Sequence, residues 1–379
     1  MPNFRLNISQ LSFWERKTYF EDIDFIVVGA GIVGCSTAIH LRKNNPNAKI
    51  LVLERSYLPN GASTKNAGFA CFGSPTELLD DLRKMPESEV WETVQSRWEG
   101  LLALRNLIGD NNLDFQALGS WEIMHQNQDS SIAEIRSKLN YLNEKIQQIT
   151  GIKDCYSEDE NSIQKFGFQN IETAFFNKLE GQIDPGKMMI RYHQLLSENN
   201  IHLLTGIEVL DIDSINKLIQ TSLGLIGAKK TFLTVNGFAQ KFVQEDIKPA
   251  RAQVLVTSEI PNLKFKGTFH YDEGYYYFRN FENRVLIGGG RNLDFVGETT
   301  TEMQTTPQII SSLKELLDTI ILPNINYTID YQWAGIMGIG ATKKPIVKQI
   351  DEFLSIGIRL GGMGVAIGTN VGKELAEMS

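Results

Sequence analysis

The sequence predicts an α/β protein in which a nucleotide-type βαβ domain is interrupted by an antiparallel sheet. Three observations carry that expectation. A strand–glycine–helix–strand unit opens the chain, and a second strand–glycine–helix unit closes it. Between them lie short segments that alternate apolar and polar residues, as strands with one solvated face do.

The opening unit is the most informative. Phe25-Ile26-Val27-Val28 is an unbroken apolar run suited to a parallel strand buried on both faces. It stops at Gly29-Ala30-Gly31-Ile32-Val33-Gly34, where a helix pattern begins near Gly31. Ile50-Leu51-Val52-Leu53 reads as the next strand and ends on Glu54, 20 residues past Gly34. Gly29 permits the tight turn, Gly31 lets backbone approach a pyrophosphate, and Gly34 lets helix and strand pack closely. The helix start favours phosphate charge, and Glu54 is placed to accept hydrogen bonds from ribose hydroxyls. The unit therefore reads as dinucleotide-binding.

The other elements follow in order. Residues 3–22, with Leu11, Phe13, Trp14 and Phe20, are expected to pack over the edge of the first strand. A polar loop, Gly61-Ala62-Ser63-Thr64-Lys65-Asn66-Ala67-Gly68, comes after Glu54. Pro86 and Gly109 bracket a helix over 87–108 whose Val90, Trp91, Val94, Trp98, Leu101 and Leu102 share a face. Ile132, Ile135, Leu139, Leu142, Ile146 and Ile149 fall three or four apart, the stripe of a helix laid on a core or sheet. Asp184-Pro185-Gly186 opens a helix through Leu196. Residues 202–235 read as short strands ending in a turn at Asn236-Gly237. Residues 253–257 and 275–279 alternate as strands, with a hairpin turn at 281–283 and a return over 284–288. A helix is expected over 308–320, and the glycine-rich 357–365 runs into a last helix.

At 379 residues the chain is long for one core, so two domains are expected. The order of elements assigns 1–86, 155–245 and 330–379 to the nucleotide domain. It assigns 87–154 and 246–329 to the inserted domain. A net charge of −8 without a dense Lys/Arg cluster gives no reason to expect nucleic acid. No apolar run approaches the roughly 18 residues of a membrane span, and the first residues lack a signal-peptide layout. Cys35, Cys71 and Cys155 are few, odd in number and without ligand spacing, which fits a reducing cytoplasm. His40, His125, His193, His202 and His270 also lack ligand spacing, so no metal site is expected. Only His270, just before the tyrosine-rich strand, stands near candidate chemistry. Nothing in the sequence indicates an oligomeric state.

Two features favour a flavin over a nicotinamide dinucleotide. The loop at 61–68 is rich in groups that hydrogen-bond phosphate or ring edges. Gly361-Gly362-Met363-Gly364 brings a second helix start, suited to a ring whose reduced form carries negative charge. No second fingerprint for NAD(P)H is present.

With these stretches, the chain resembles the D-amino-acid oxidase, glycine oxidase and sarcosine oxidase family of two-domain FAD-dependent enzymes along nearly its whole length. The matching stretches are the 25–38 fingerprint, Leu53-Glu54-Arg55, the 61–68 loop and the C-terminal glycines. Tyr275-Tyr276-Tyr277-Phe278-Arg279 with Val285-Leu286-Ile287-Gly288-Gly289 looks like the hairpin that roofs the substrate pocket. Trp333-Ala334-Gly335 followed by Lys344-Pro345-Ile346-Val347 looks like the strand pair near the flavin. Thr234-Val235-Asn236-Gly237 matches the family's Ala-Thr-Gly-Ala turn only loosely.

The resemblance implies an FAD-binding Rossmann-like domain with an inserted antiparallel-sheet substrate domain. FAD would lie noncovalently across the first domain, its ring facing the second. Its contacts would be Gly29, Ala30, Gly31, Ile32, Val33, Gly34, Glu54, Arg55, Ser63, Thr64, Asn66, Ala67, Gly68, Val209, Asn236, Gly237, Gly335, Gly362, Met363, Gly364 and Val365. Cys71, close to the flavin loop, has nothing that makes it a point of covalent attachment. The implied activity is oxidation of a C–N bond in a small amine or amino acid, with electrons passing to oxygen or another acceptor. Oxidation of a 2-hydroxy acid and a non-catalytic FAD-binding module are the alternatives.

One departure matters. Amino-acid oxidases of this type commonly read Trp-x-Gly-Leu-Arg beside the flavin, the arginine clamping the substrate carboxylate. Here the string is Trp333-Ala334-Gly335-Ile336-Met337, and a thioether cannot pair with a carboxylate. Either the substrate has no carboxylate there or another cation serves. Arg279 is the candidate, because Tyr275, Tyr277 and Arg279 share one face of a strand by its two-residue period. Arg279 would otherwise be a surface charge at a hairpin end. Lys343 and Lys344, near the presumed flavin strand, are either an aid to oxygen or ordinary exposed lysines.

Overall fold

A computed structural model describes residues 8–159 and 161–379. Its first sheet orders the strands Ile346–Gln349, Leu354–Ile358, Lys230–Leu233, Phe25–Val28, Ile50–Glu54 and His202–Thr205. All neighbours are parallel except the pair at the Ile346–Gln349 edge. Ile26, Val27 and Val28 are buried, which is why the first strand reads as a continuous apolar run.

The two ends of the described chain meet on this sheet. The helix Gly364–Ala376 lies against the helix Ile32–Asn44. A Cβ on Gly372 would sit 2.5 Å from the Ser36 Cβ and 2.6 Å from the Val33 carbonyl oxygen. Only glycine allows that crossing, and the Ser36 hydroxyl donates to the Thr369 carbonyl across it at 2.7 Å. Gly34 works as the sequence implies: its added Cβ would fall 1.8 Å from the Gly29 carbonyl oxygen.

The second sheet has eight strands, in the order Ile329–Ile339, Lys248–Thr257, Arg284–Gly289, Tyr276–Phe281, Thr268–Tyr271, Ser120–His125, Ile171–Asn177 and Tyr156–Glu158. Thr268–Tyr271 runs parallel to Ser120–His125; every other pairing is antiparallel. The Phe281↔Arg284 pair closes a tight hairpin whose Glu282 takes a positive φ of 51°. One face of the sheet, with Trp121, Phe269, Phe278 and Ile287, packs in a core with the helix Pro307–Leu316. On the other face Val254, Trp333 and Tyr277 meet Ala67 and Phe69 of the first domain.

The expected boundaries need correction in both directions. Tyr156–Glu158 and Ile171–Asn177, expected in the nucleotide domain, belong to the second sheet, as does the strand Ile329–Ile339, expected there from residue 330 onward. The helices Glu87–Ile108 and Asp129–Thr150, expected in the inserted domain, share one apolar core with Val33 and Val371. A Cβ on Gly100 would lie 2.0 Å from the Ala366 carbonyl oxygen, so the long helix is seated on the last one. An amphipathic stripe reports that a face is buried, and not which sheet covers it. At the start, Phe20 packs on the core as expected, while Phe13 and Trp14 are exposed. Asn236-Gly237 forms no simple turn; it begins the short 3₁₀ helix Asn236–Lys241. No helix among the described residues is long and apolar enough to cross a membrane.

Candidate active site

A cavity of about 1310 Å³ lies between the two sheets and is lined from both. That exceeds the few hundred to 1,000 Å³ of a drug-sized pocket and leaves room for a dinucleotide and a small molecule together.

Its first wall is the opening unit. Gly29 turns the chain at a φ of 102°, and Gly31 stands at the N-cap of the helix Ile32–Asn44. The Ala30 N–H donates to Glu54 Oε2 at 3.1 Å, and the Ile32 N–H donates to Ser63 Oγ at 3.0 Å. A Cβ on Gly31 would meet Ser63 Oγ at 2.7 Å. Glu54 thus has a task beyond the expected ribose contact: its two oxygens also accept from the Ala30 and Ser56 amides and fix the turn. At the far end, the Arg55 guanidinium lies over the Phe238 ring, 4.0 Å from its centroid, with Val209 also lining the space.

The second wall is the loop 61–68, held by its own polar groups. Asn66 Nδ2 donates to the Ala62 and Ser63 carbonyls, and its Oδ1 accepts from the Gly68 N–H. Trp333 Nε1 donates to the Lys65 carbonyl at 3.0 Å, tying the loop to the second sheet. The third wall is the last helix start, where Gly362, Met363, Gly364 and Val365 line the cavity. The Gly361 N–H donates to the Gly338 carbonyl, and the Leu360 N–H donates to Asn236 Oδ1, which fixes the approach. The first amides of a helix have no intrahelical acceptor and are available to a ligand. Both glycine turns therefore face one groove.

A family model described as FAD dependent oxidoreductase matches residues 24–378. The chain belongs to this family. Gamma-glutamylputrescine oxidoreductase of Escherichia coli is 23% identical over 378 residues, covering 94% of this chain and 83% of that protein. Two solved structures share the fold. L-proline dehydrogenase from P. horikoshii superposes with a TM-score of 0.72 at 17% identity, covering 94% of this chain and 93% of that one. Glycine oxidase from Bacillus cereus also gives 0.72 at 17% identity, covering 94% of each chain.

Most of the residues expected around the flavin line the oxidoreductase's cavity. Gly34, Thr64 and Gly68 do not. Gly34 is packed under the Gly29 carbonyl, and the Thr64 hydroxyl turns back to the Pro59 and Gly61 carbonyls. A Cβ on Gly68, whose φ is 75°, would lie 2.3 Å from the Ile183 carbonyl oxygen. These three shape the groove without lining it. The three glycines and carboxylate of the opening unit, the loop hydroxyl of Ser63 and the second helix start together fit a dinucleotide with a flavin ring.

Phe69, Tyr275, Tyr277 and Arg291 also line the cavity, as does Met337, whose Sδ lies 3.9 Å from where a Cβ on Gly362 would be, beside the last helix start. Tyr277 lies over Gly288, where a Cβ would meet its ring at 2.6 Å, and burial pushes its phenol up to about 12. It is a hydrogen-bond donor at neutral pH. Tyr275 is 41% exposed at the rim, its ring edge-on to Phe295. Met337 occupies the expected arginine position, and the carboxylate clamp is missing there.

Arg279 requires a correction, because it is neither in the cavity nor on the surface. The strand period puts it on the same face as Tyr277, but the loop and residue 183 cover that end of the strand. It is 3% exposed and donates through Nη1 to the Gly68 carbonyl at 3.1 Å and the Ile183 carbonyl at 2.7 Å. Burial pulls its pKa down to about 10, so it stays charged at neutral pH.

Several residues of the site escaped sequence reasoning. Glu77 and Arg97 are among them, and with Lys343, which the sequence did single out, they form a partly buried ion network at the cavity wall. Burial opposes ionisation of Glu77, yet Arg97 and Lys343 hold its pKa down to about 2. Lys344 is instead an exposed lysine paired with Glu89 and Glu92. Behind the wall, buried Glu180 accepts from the Phe72 and Gly73 amides and the Ser120 hydroxyl. Buried Glu122 accepts from Ser74 and Thr76. Isolated acids such as these carry no motif, and no signal short of the fold reveals them. Among the described residues one group, Cys71, Glu180 and His270, brings possible metal-ligand atoms within 4.8 Å. Burial pushes the Cys71 thiol well up, and the Glu180 oxygens already hold three donors, so the group is a poor fit to a thiolate site.

Proposed function

We propose that this flavoprotein oxidises the C–N bond of a small amine or amino acid and passes the electrons to oxygen or another acceptor. The reading rests on one observation above all. The two glycine turns and the Tyr275, Tyr277 and Met337 wall border the same cavity. FAD, when bound, supplies the hydride acceptor for the carbon next to nitrogen, and the imine released is hydrolysed by water. The similar proteins named above are enzymes of amines or amino acids, which favours C–N over C–O oxidation.

The chain's own groups have definable tasks in this reading. The helix start at Gly364 supports negative charge in the groove. Tyr277, protonated at neutral pH, donates a hydrogen bond to the substrate and does not act as a base. Phe69 and Met337 supply an apolar wall that excludes water. Noncovalent attachment is supported by Cys71: burial keeps its thiol protonated, and the thiol is a weak nucleophile. Three free, buried cysteines suit a reducing cytoplasm.

The purified protein is expected to be yellow and to release FAD on acid treatment. Anaerobic mixing with amines, amino acids and 2-hydroxy acids, while flavin absorbance is followed, tests the substrate class. Bleaching by hydroxy acids alone would replace the C–N reading. No bleaching by any compound, with normal photoreduction, would leave a binding module.

A further inference from the structure

We propose that Arg291 binds a carboxylate of the substrate that lies several bonds from the oxidised carbon. The inference rests on the C–N oxidation reading and adds what the substrate must carry.

The cations around the cavity narrow the choice. Arg97 and Lys343 are committed to Glu77, Lys241 pairs with Glu208, and Arg55 lies on Phe238 at the far end. Lys65 belongs to the cofactor loop. Arg291 lines the cavity, makes no ion pair among the described residues, and has a buried Nε without a partner. Its neighbour Glu298 is fully occupied, accepting from Arg251 and Gln253 with both oxygens.

The backbone builds this position. Gly289 and Gly290 take φ values of 121° and 76° at the end of the Arg284–Gly289 strand. A Cβ on Gly289 would lie 2.1 Å from the Tyr275 carbonyl oxygen, so only glycine lets the chain turn there. The guanidinium then lies over the Phe295 ring, 4.9 Å from its centroid, and Phe295 in turn contacts Tyr275. A planar fork braced on an aromatic face keeps its donors free for a carboxylate.

Met337 stands on the Ile329–Ile339 strand, two strands across the sheet from Arg284–Gly289. Two strand spacings are roughly 10 Å, and Met337 pairs with Ala250 while Gly289 pairs with Gln253, three residues and roughly another 10 Å along the strand. Cationic recognition is thus displaced sideways from the position beside the reacting centre, farther than an α-carboxylate reaches.

The test uses the FAD-loaded protein and linear acids of rising length: acetate, butyrate and hexanoate, each against its amide. Binding is read by calorimetry and by perturbation of the flavin spectrum. Hexanoate is expected to bind more tightly than acetate and than hexanamide. Arg291→Met is expected to weaken hexanoate by about 10- to 100-fold, the range for a lost charge-assisted bond, with hexanamide unchanged. Arg291→Lys is expected to restore part of the loss, and flavin content and melting temperature report that both variants fold. Equal binding by wild type and Arg291→Met, acetate binding as tightly as hexanoate, or no acid binding at all would overturn the assignment. If amines reduce the flavin while Arg291→Met binds acids normally, the inference fails and the C–N reading stands. If Arg291 governs acid binding while no amine reduces the flavin, the reverse holds.

Discussion

Arg279 donates to the carbonyl oxygen of Gly68 at 3.1 Å, so a residue of the second sheet grips the loop that borders the flavin groove. The same Nη1 reaches Ile183, and the guanidinium therefore joins three segments distant in sequence. Removing it takes the donor from the buried Ile183 carbonyl and one of two donors from the Gly68 carbonyl, which keeps the Ile183 N–H at 2.8 Å. Arg279→Met is expected to cost about 2–4 kcal/mol of stability and to lower flavin occupancy. Thermal melts and the flavin-to-protein absorbance ratio check this. A variant of normal stability with only a raised KM would return Arg279 to the substrate site.

Gly31 and Gly61 both line the cavity, yet only one is crowded. A Cβ at Gly31 meets Ser63 Oγ at 2.7 Å, while one at Gly61 meets nothing within 4 Å. Gly31→Ala is expected to weaken FAD at least about tenfold, some 1.4 kcal/mol. Gly61→Ala should bind normally. Fluorescence titration of the flavin-free protein separates the two.

Glu77 makes stability depend on acid. Its pKa is held at about 2 in the folded protein, below the value of 4.5 it has when unpaired. The depressed folded value means its stabilisation is complete above pH 4.5. It is lost as pH falls through that value toward 2. The difference corresponds to roughly 3 kcal/mol. Melting temperatures across this range should fall less steeply for Glu77→Gln than for the wild type. Parallel curves would remove Glu77 from the balance.

Gly372 sits mid-helix, where alanine has the better propensity by about 1 kcal/mol. Its added Cβ would nonetheless press on the Val33 carbonyl oxygen at 2.6 Å, and backbone cannot rotate away. Overpacking of about 1–3 kcal/mol should win, and Gly372→Ala should be destabilised in urea. A more stable variant would mean that the two helices separate at little cost.

What was legible in the sequence was local. Gly29, Gly31, Gly34 and Glu54 mark the nucleotide unit because each answers a constraint within 30 residues of chain. The 87–108 helix was readable from Pro86 and Gly109. What was not legible depends on remote partners. The stripe on Asp129–Thr150 says nothing of the sheet beside it, and Tyr156–Glu158 is too short for a pattern. Alternation placed Arg279 on the correct face, but only the fold shows that Gly68 and Ile183 cover it. Arg291 was overlooked because its placement comes from two left-handed glycines just before it, not from strand period.

The seating of Gly364–Ala376 against Ile32–Asn44 also sets the order of assembly. During synthesis the phosphate-facing turn is complete early, hundreds of residues before its opposite bank exists. Any nascent fragment that stops short of Gly364 presents half a cleft. A cleft with both banks therefore becomes available to a ligand only once Gly364–Ala376 has packed on Ile32–Asn44.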